Sequence, residues 1–274
     1  QELDADFDHL ERDMQFVGLI SFEDPPRSGV KETIAKAAKA GIRTILVTGD
    51  HPQTASFIAK EVGISADEGL TGEELDRLSD RQLQETVKKV SVFSRTTPQH
   101  KYRIVQALQK NGEVVAVTGD GINDALALKS ADIGIAMGLR GTDVAKEAAD
   151  VVLADDNYIT ITQGIFEGRK FFDNLQKGIK YYLSVKVALV LIFLLPVLLG
   201  IPMPLAPIQI ILLELFMDLA ASAGFVAEPR EPNIYSRPPR NPRENVLNKD
   251  VTRDILINGM VLFVAVTCVY LYAR

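Results

Sequence analysis

The chain has 274 residues, 24% of them charged and 47% hydrophobic, with a net charge of −6. That length allows one or two domains, and the mildly acidic balance excludes the basic surface of a nucleic-acid binder. The single cysteine, Cys268, excludes an internal disulfide, and its apolar surroundings do not suit a nucleophilic thiol.

In chain order, short apolar runs at 16–22, 44–48, 90–93, 114–118, 133–136 and 151–153 read as buried strands. Helical patterns at 29–40, 54–62 and 101–109 separate them, and Gly41, Gly63 and Gly112 follow those helices as C-terminal stop signals. Strands alternating with helices predict an α/β fold with a doubly wound parallel sheet. Beyond about residue 180 the chain turns apolar. Residues 181–199 carry only Ser184 and Lys186 as polar breaks, 208–226 carry Glu214 and Asp218, and 255–272 carry no charge. Each stretch is long enough to span a lipid bilayer as an α-helix. The link after the first span is uncharged. The link after the second holds Arg230, Arg237, Arg240, Arg243, Lys249 and Arg253. By the positive-inside rule that basic link is cytoplasmic. Arg169, Lys170, Lys177 and Lys180, just before the first span, put the α/β part on the same side.

Two of the strands end alike. The first, at 44–48, runs into Thr48-Gly49-Asp50; the second, at 114–118, runs into Thr118-Gly119-Asp120-Gly121-Ile122-Asn123-Asp124. The carboxyl edge of a parallel sheet is where open α/β folds bind ligands. Asp120 and Asp124 there suit a hard cation such as Mg²⁺, which takes oxygen ligands and keeps several waters. The Thr48 hydroxyl and Gly49 amide suit an anion at a helix N-terminus. Lys101 lies in the first turn of a helix opened by Pro98-Gln99-His100, where the helix dipole disfavours a cation unless an anion is bound nearby. Taken alone, Lys101 is equally a solvated surface lysine.

Together these motifs resemble the haloacid-dehalogenase superfamily and, within it, the P-type cation-transporting ATPases of type II. The resemblance also runs through Asp24-Pro25-Pro26-Arg27, Val92-Phe93-Ser94-Arg95, Asp132-Ile133-Gly134-Ile135-Ala136-Met137-Gly138 and Val152-Leu153-Ala154-Asp155-Asp156-Asn157. Leu126 stands where the family usually has proline. The resemblance implies ATP and Mg²⁺ as cofactors. Asp120 would be the Mg²⁺ ligand, with Asn123 and Asp124 holding the site. Thr48 and Gly49 would bind phosphoryl oxygens, Lys101 would neutralise the transferring phosphoryl, and Asp50 and Arg95 would lie near the nucleotide. The family's phosphate acceptor, an aspartate in Asp-Lys-Thr-Gly, occurs nowhere in the sequence, and neither does its Thr-Gly-Glu segment. The expectation is therefore the C-terminal part of a longer pump, partnered by the N-terminal portion of the same pump and inactive by itself. Residues 1–14 would end a nucleotide-binding domain or linker, 15–165 form the phosphorylation domain, 166–180 a stalk helix and 181–274 the membrane domain. The integral membrane protein is expected in a plasma membrane with its α/β domain cytoplasmic. The alternative is a membrane-anchored regulatory or binding module that lacks the nucleophile.

Ionisable residues within spans are costly and are functional candidates by default. Glu214 and Asp218, four residues apart, share one helical face. The resemblance makes the second span a source of ligands for the transported cation, with Asp218 on the family's acidic position. Lys186 and Leu189 occupy positions where the family's calcium pumps carry an amide and a carboxylate, so protons or a single cation are expected in place of two calcium ions. Lys186 either acts as a counter-cation to Glu214 or Asp218 or snorkels to the interface. Absence of Cys-Pro-Cys from the first two spans argues against a soft-metal pump.

Overall fold

The computed structural model describes residues 15–18, 20, 25–241 and 244–273. The expected tail at 1–14 lies outside these residues, as do Asp24, Arg243 and part of the expected strand at 16–22. The described residues of that strand form no ladder: Phe16, Val17 and Ile20 are 79%, 97% and 82% exposed. A strand needs a hydrogen-bonding neighbour and a face to bury, and here those residues have neither.

The α/β part begins with helix α1 (Val30–Lys39), strand β1 (Leu46–Val47) and helix α2 (Pro52–Val62). Then come β2 (Gly69–Thr71), two short helices α3 (Gly72–Arg77) and α4 (Asp80–Thr86), β3 (Val92–Ser94) and α5 (Pro98–Lys110). Strand β4 (Ala116–Gly119), α6 (Ala125–Ser130), β5 (Ile133–Met137), α7 (Asp143–Ala148) and β6 (Val151–Leu153) complete it. All the pairings are parallel, as expected, but they form two three-stranded sheets ordered β1-β3-β2 and β4-β5-β6. The expected continuous sheet is broken because β1 and β4 are both edge strands and no described residue bridges them. Both halves nevertheless pack on one apolar cluster of Leu75, Leu83, Val87, Phe93, Ile104 and Val105, with Val47 and Val117 at its margin.

The membrane part is three helices, each long and apolar enough to cross a bilayer. Helix α8 (Tyr158–Leu199) has 42 residues, so it runs about 63 Å, twice a hydrocarbon core. The expected stalk and first span are thus one continuous helix. Asn157 caps its start by accepting from the Ile159 N–H, and Gly200, in the left-handed conformation, ends it. Helices α9 (Pro207–Ala227) and α10 (Lys249–Ala273) pack on α8. Gly259 of α10 makes the closest approach: a Cβ there would sit 2.8 Å from Val187 and 2.9 Å from the Ser184 carbonyl.

Candidate functional site

The two Thr-Gly-Asp turns stand at the C-terminal ends of β1 and β4. In the first, the Thr48 side chain accepts from the Asp50 N–H at 3.1 Å, which fixes the turn. The segment after β3 grips it from the other side. Arg95 N–H donates to the Asp50 carbonyl at 3.0 Å, and Thr96 donates to the Thr48 carbonyl through its N–H (3.0 Å) and its hydroxyl (2.9 Å). Thr48, Gly49, Asp50 and Arg95 are therefore one cluster. Arg95 is held at φ 51, a left-handed conformation uncommon for a non-glycine residue and typical of functional turns.

Helix α5 leaves this cluster. Thr97 caps it reciprocally with His100, whose Nδ1 accepts from the Thr97 N–H at 3.1 Å. With Nδ1 accepting, the proton sits on Nε2 and donates to Asp76 at 2.8 Å. One residue on, Lys101 reaches the second turn and donates to Asp124 Oδ1 at 2.5 Å. Asp124 is buried, and its other oxygen accepts from the Gly121 N–H at 3.3 Å. The sequence motifs from Thr48 to Asp124 thus form a continuous bonded line across the two half-sheets.

Asp120 and Asn123 lie exposed in the same turn as buried Asp124. The Asp120 carbonyl accepts from the Thr142 N–H at 2.9 Å, which anchors the backbone and leaves its carboxylate without a partner among the described residues. Mg²⁺ takes one or two carboxylates and fills its shell with water and phosphate oxygens. Asp120, with the Asn123 amide, is the available oxygen set; Asp124 is committed to Lys101.

In the membrane part, Lys186 of α8 donates to Glu214 of α9 and lies 5.0 Å from the Tyr182 ring centroid. The contact pairs Lys186 with Glu214, one of the two acids weighed as its partner. Asp218 joins neither and makes no hydrogen bond or ion pair among the described residues. It lines a cleft of about 580 Å³ between α8 and α9.

Three supports were not foreseen. Thr96 holds the first turn, and its signal was only its place after the β3 apolar run. Asp156, with its carboxylate on the N–H groups of Leu139 (3.0 Å) and Arg140 (2.8 Å), fixes the loop after β5. Arg169 of α8 donates to the carbonyls of Ala40, Ile234 and Arg237, which nothing in a helix-period pattern reveals.

Comparison with known proteins adds a second line. Residues 202–274 match the family model of the cation transporting ATPase C-terminus, and residues 1–132 and 101–165 match two models of haloacid dehalogenase-like hydrolases. The "Calcium-transporting ATPase 1" of Bacillus cereus is 44% identical over 260 residues, 94% of this chain and 29% of its own length. The "Calcium-transporting ATPase" of Bacillus subtilis is 42% identical over 260 residues, again 94% of this chain and 29% of its own. The human "Calcium-transporting ATPase type 2C member 1" is 40% identical over 251 residues, 91% of this chain and 27% of its own. The chain thus spans less than a third of the length of these relatives. Among solved structures, the catalytic domain of the CPx-ATPase CopB-B matches 52% of this chain and 46% of its own at 29% identity, with a TM-score of 0.40.

Proposed function

We propose that this chain, which belongs to the P-type cation-transporting ATPases, forms the phosphoryl-transfer site and part of the ion pathway of an ATP-driven pump. The observation that carries the reading is the Lys101–Asp124 bond, which joins both Thr-Gly-Asp turns into one anion-facing cluster. In the reading, Thr48 and Gly49 donate to phosphoryl oxygens. Lys101, oriented by Asp124, offsets the charge that spreads over them in transfer. Asp120 and Asn123 hold Mg²⁺, which on binding would shield phosphate charge. Asp50 and Arg95 border the nucleotide. The acceptor aspartate comes from an Asp-Lys-Thr-Gly segment elsewhere in the pump. Its strand fits between β1 and β4, whose outer edges are unpaired among the described residues and whose turns carry the chemistry.

Calcium is the proposed ion, because the relatives that match most of this chain are named for it. The basic link supports a cytoplasmic α/β domain, and a plasma membrane is the proposed location. The test is phosphorylation of the full-length pump by radiolabelled ATP. Lys101→Ala and Asp120→Asn should each lower the initial rate of phosphoenzyme formation about 100-fold. Rates within about threefold of wild type would reject the assignment.

A further inference from the structure

We propose that Lys186 is a tethered cation of the membrane domain, whose ammonium stays on Glu214 and leaves Asp218 as the one carboxylate of these three helices free for the transported ion. The proposal rests on the pump reading above and deepens it by fixing which acid of these helices takes the ion.

The geometry separates the two acids that the sequence puts on one face. Glu214 is engaged by Lys186, whose ammonium is confined between that carboxylate and the Tyr182 ring. Asp218, one turn further along α9, faces the cleft lined by Met217 and Ser222 and by Tyr181 and Tyr182 of α8. The charged belt on α8 ends at Lys180, which meets Asp254 six residues, about 9 Å along the helix axis, before Lys186. The Lys186 ammonium is spent on Glu214 of α9 and not on that belt.

Neighbouring residues of α8 supply nothing to replace it. Leu189 is buried and apolar, and the Ser184 hydroxyl is spent on the Lys180 carbonyl at 2.6 Å. The third helix has no Asp, Glu, Lys, Arg or His between Ile255 and Tyr272. The described spans therefore hold one cation and two anions, and the Lys186–Glu214 bond leaves a single uncompensated charge. In a low-dielectric setting, removing one member of such a pair is far more costly than removing both. A covalently attached ammonium, unlike a metal ion, cannot leave with each cycle. Glu214 is thereby excluded as a ligand of the transported ion, and Asp218 is the carboxylate that these spans offer it.

The experiment uses the full-length pump in membrane vesicles. It measures the calcium concentration giving half-maximal phosphoenzyme. Lys186→Met and Glu214→Gln should each raise the half-maximal concentration about tenfold or more, and the double variant should return within about threefold of wild type. Phosphorylation by inorganic phosphate without calcium checks that each variant is folded. A silent Lys186→Met, or a Glu214→Gln defect that Lys186→Met does not repair, would overturn the tethered cation. So would an Asp218→Asn pump whose half-maximal calcium concentration stays within about threefold of wild type, since Asp218 is the acid assigned to the ion. A wild type that takes no phosphate from ATP would instead sink the pump reading itself.

Discussion

Asp124 is held from three sides, and each contact constrains a different residue. Its oxygens take the Lys101 ammonium and the Gly121 N–H, and its Cβ packs directly over Gly119. A Cβ built on Gly119 would lie 2.4 Å from Asp124 Cβ and 2.7 Å from its Cγ. Neither atom can swing away without moving the carboxylate. Gly119→Ala should therefore displace Asp124 and free Lys101. The expected cost in stability is about 1–3 kcal/mol, read from denaturant midpoints, with about a 100-fold loss of phosphoenzyme formation. Equal phosphorylation in mutant and wild type would mean that the Lys101–Asp124 bond does not orient the lysine. Arg95 is the opposite case, a side chain where the backbone favours glycine. Relieving its left-handed conformation in Arg95→Gly should raise stability by about 1 kcal/mol. The same change removes the guanidinium proposed to border the nucleotide, so the apparent affinity for ATP should fall while the melting temperature rises. A variant that gains stability and keeps its ATP affinity would place Arg95 outside the nucleotide site.

Elements differ in how far their own residues announce them. Strands β1 and β3 to β6 and helices α1, α2 and α5 were readable because each combines an apolar run with a stop or start signal close by. Pro98 opens α5, for instance, and Gly63 closes α2 at φ 80. Helices α3 and α4 carried their own signal in the reciprocal caps Thr71–Glu74 and Ser79–Gln82. Their short apolar content hid them, since only Leu75 and Leu83 are fully buried core side chains there. The split sheet was not readable, because which edges go unpaired depends on strands brought together from distant parts of a chain. Nor was the grip of Arg169, whose three acceptors lie at the end of α1 and in the turn Pro232–Tyr235 and just after it. That grip joins the α/β part to the link between α9 and α10 through one planar guanidinium. Arg169→Lys keeps the charge but not the fork that serves several carbonyls at once. It should leave phosphorylation by ATP within about threefold while calcium uptake per ATP falls about tenfold. Uptake that falls only in proportion to phosphorylation would show that Arg169 is structural.

At the scale of the whole chain, the link after α9 and the start of α10 are fastened to the lower half of α8 through a belt of ion pairs. Lys177 bonds Glu228 (2.8 Å) and Glu231 (2.5 Å), Arg230 bonds Glu167, Arg237 bonds Asp173 (3.0 Å) and Lys180 bonds Asp254 (3.0 Å). The backbone follows, with the Asn174 amide donating to the Glu228 carbonyl at 3.0 Å. Hydrogen bonds from Lys177 and Arg230 hold the carboxyls of Glu231 and Glu167 below the ordinary carboxylate range. The Glu228 hydrogen bond holds Lys177 above the ordinary lysine value. The signs are opposite but compatible. The carboxylate contribution is present above the ordinary carboxylate pKa and is lost only as pH falls through the depressed values. The lysine contribution is present below the ordinary lysine pKa and is lost only as pH rises through the raised one. Between those limits Glu231, Glu167 and Lys177 keep their charges. Salt acts differently, since the pairs are partly exposed and the screening length falls from about 10 Å at 0.1 M to about 3 Å at 1 M. Hydrogen exchange at the backbone amides of residues 228–237 should accelerate when salt is raised over that range. After correction for the intrinsic pH dependence of exchange, it should stay flat between about pH 6 and pH 8, well inside both ranges. Protection that collapses with pH in that window would mean that a group outside these pairs fastens the link to α8. Protection indifferent to salt would mean that Arg169 and the packing of Phe166 on Tyr235, ring centroids 4.6 Å apart, hold it without help from charge.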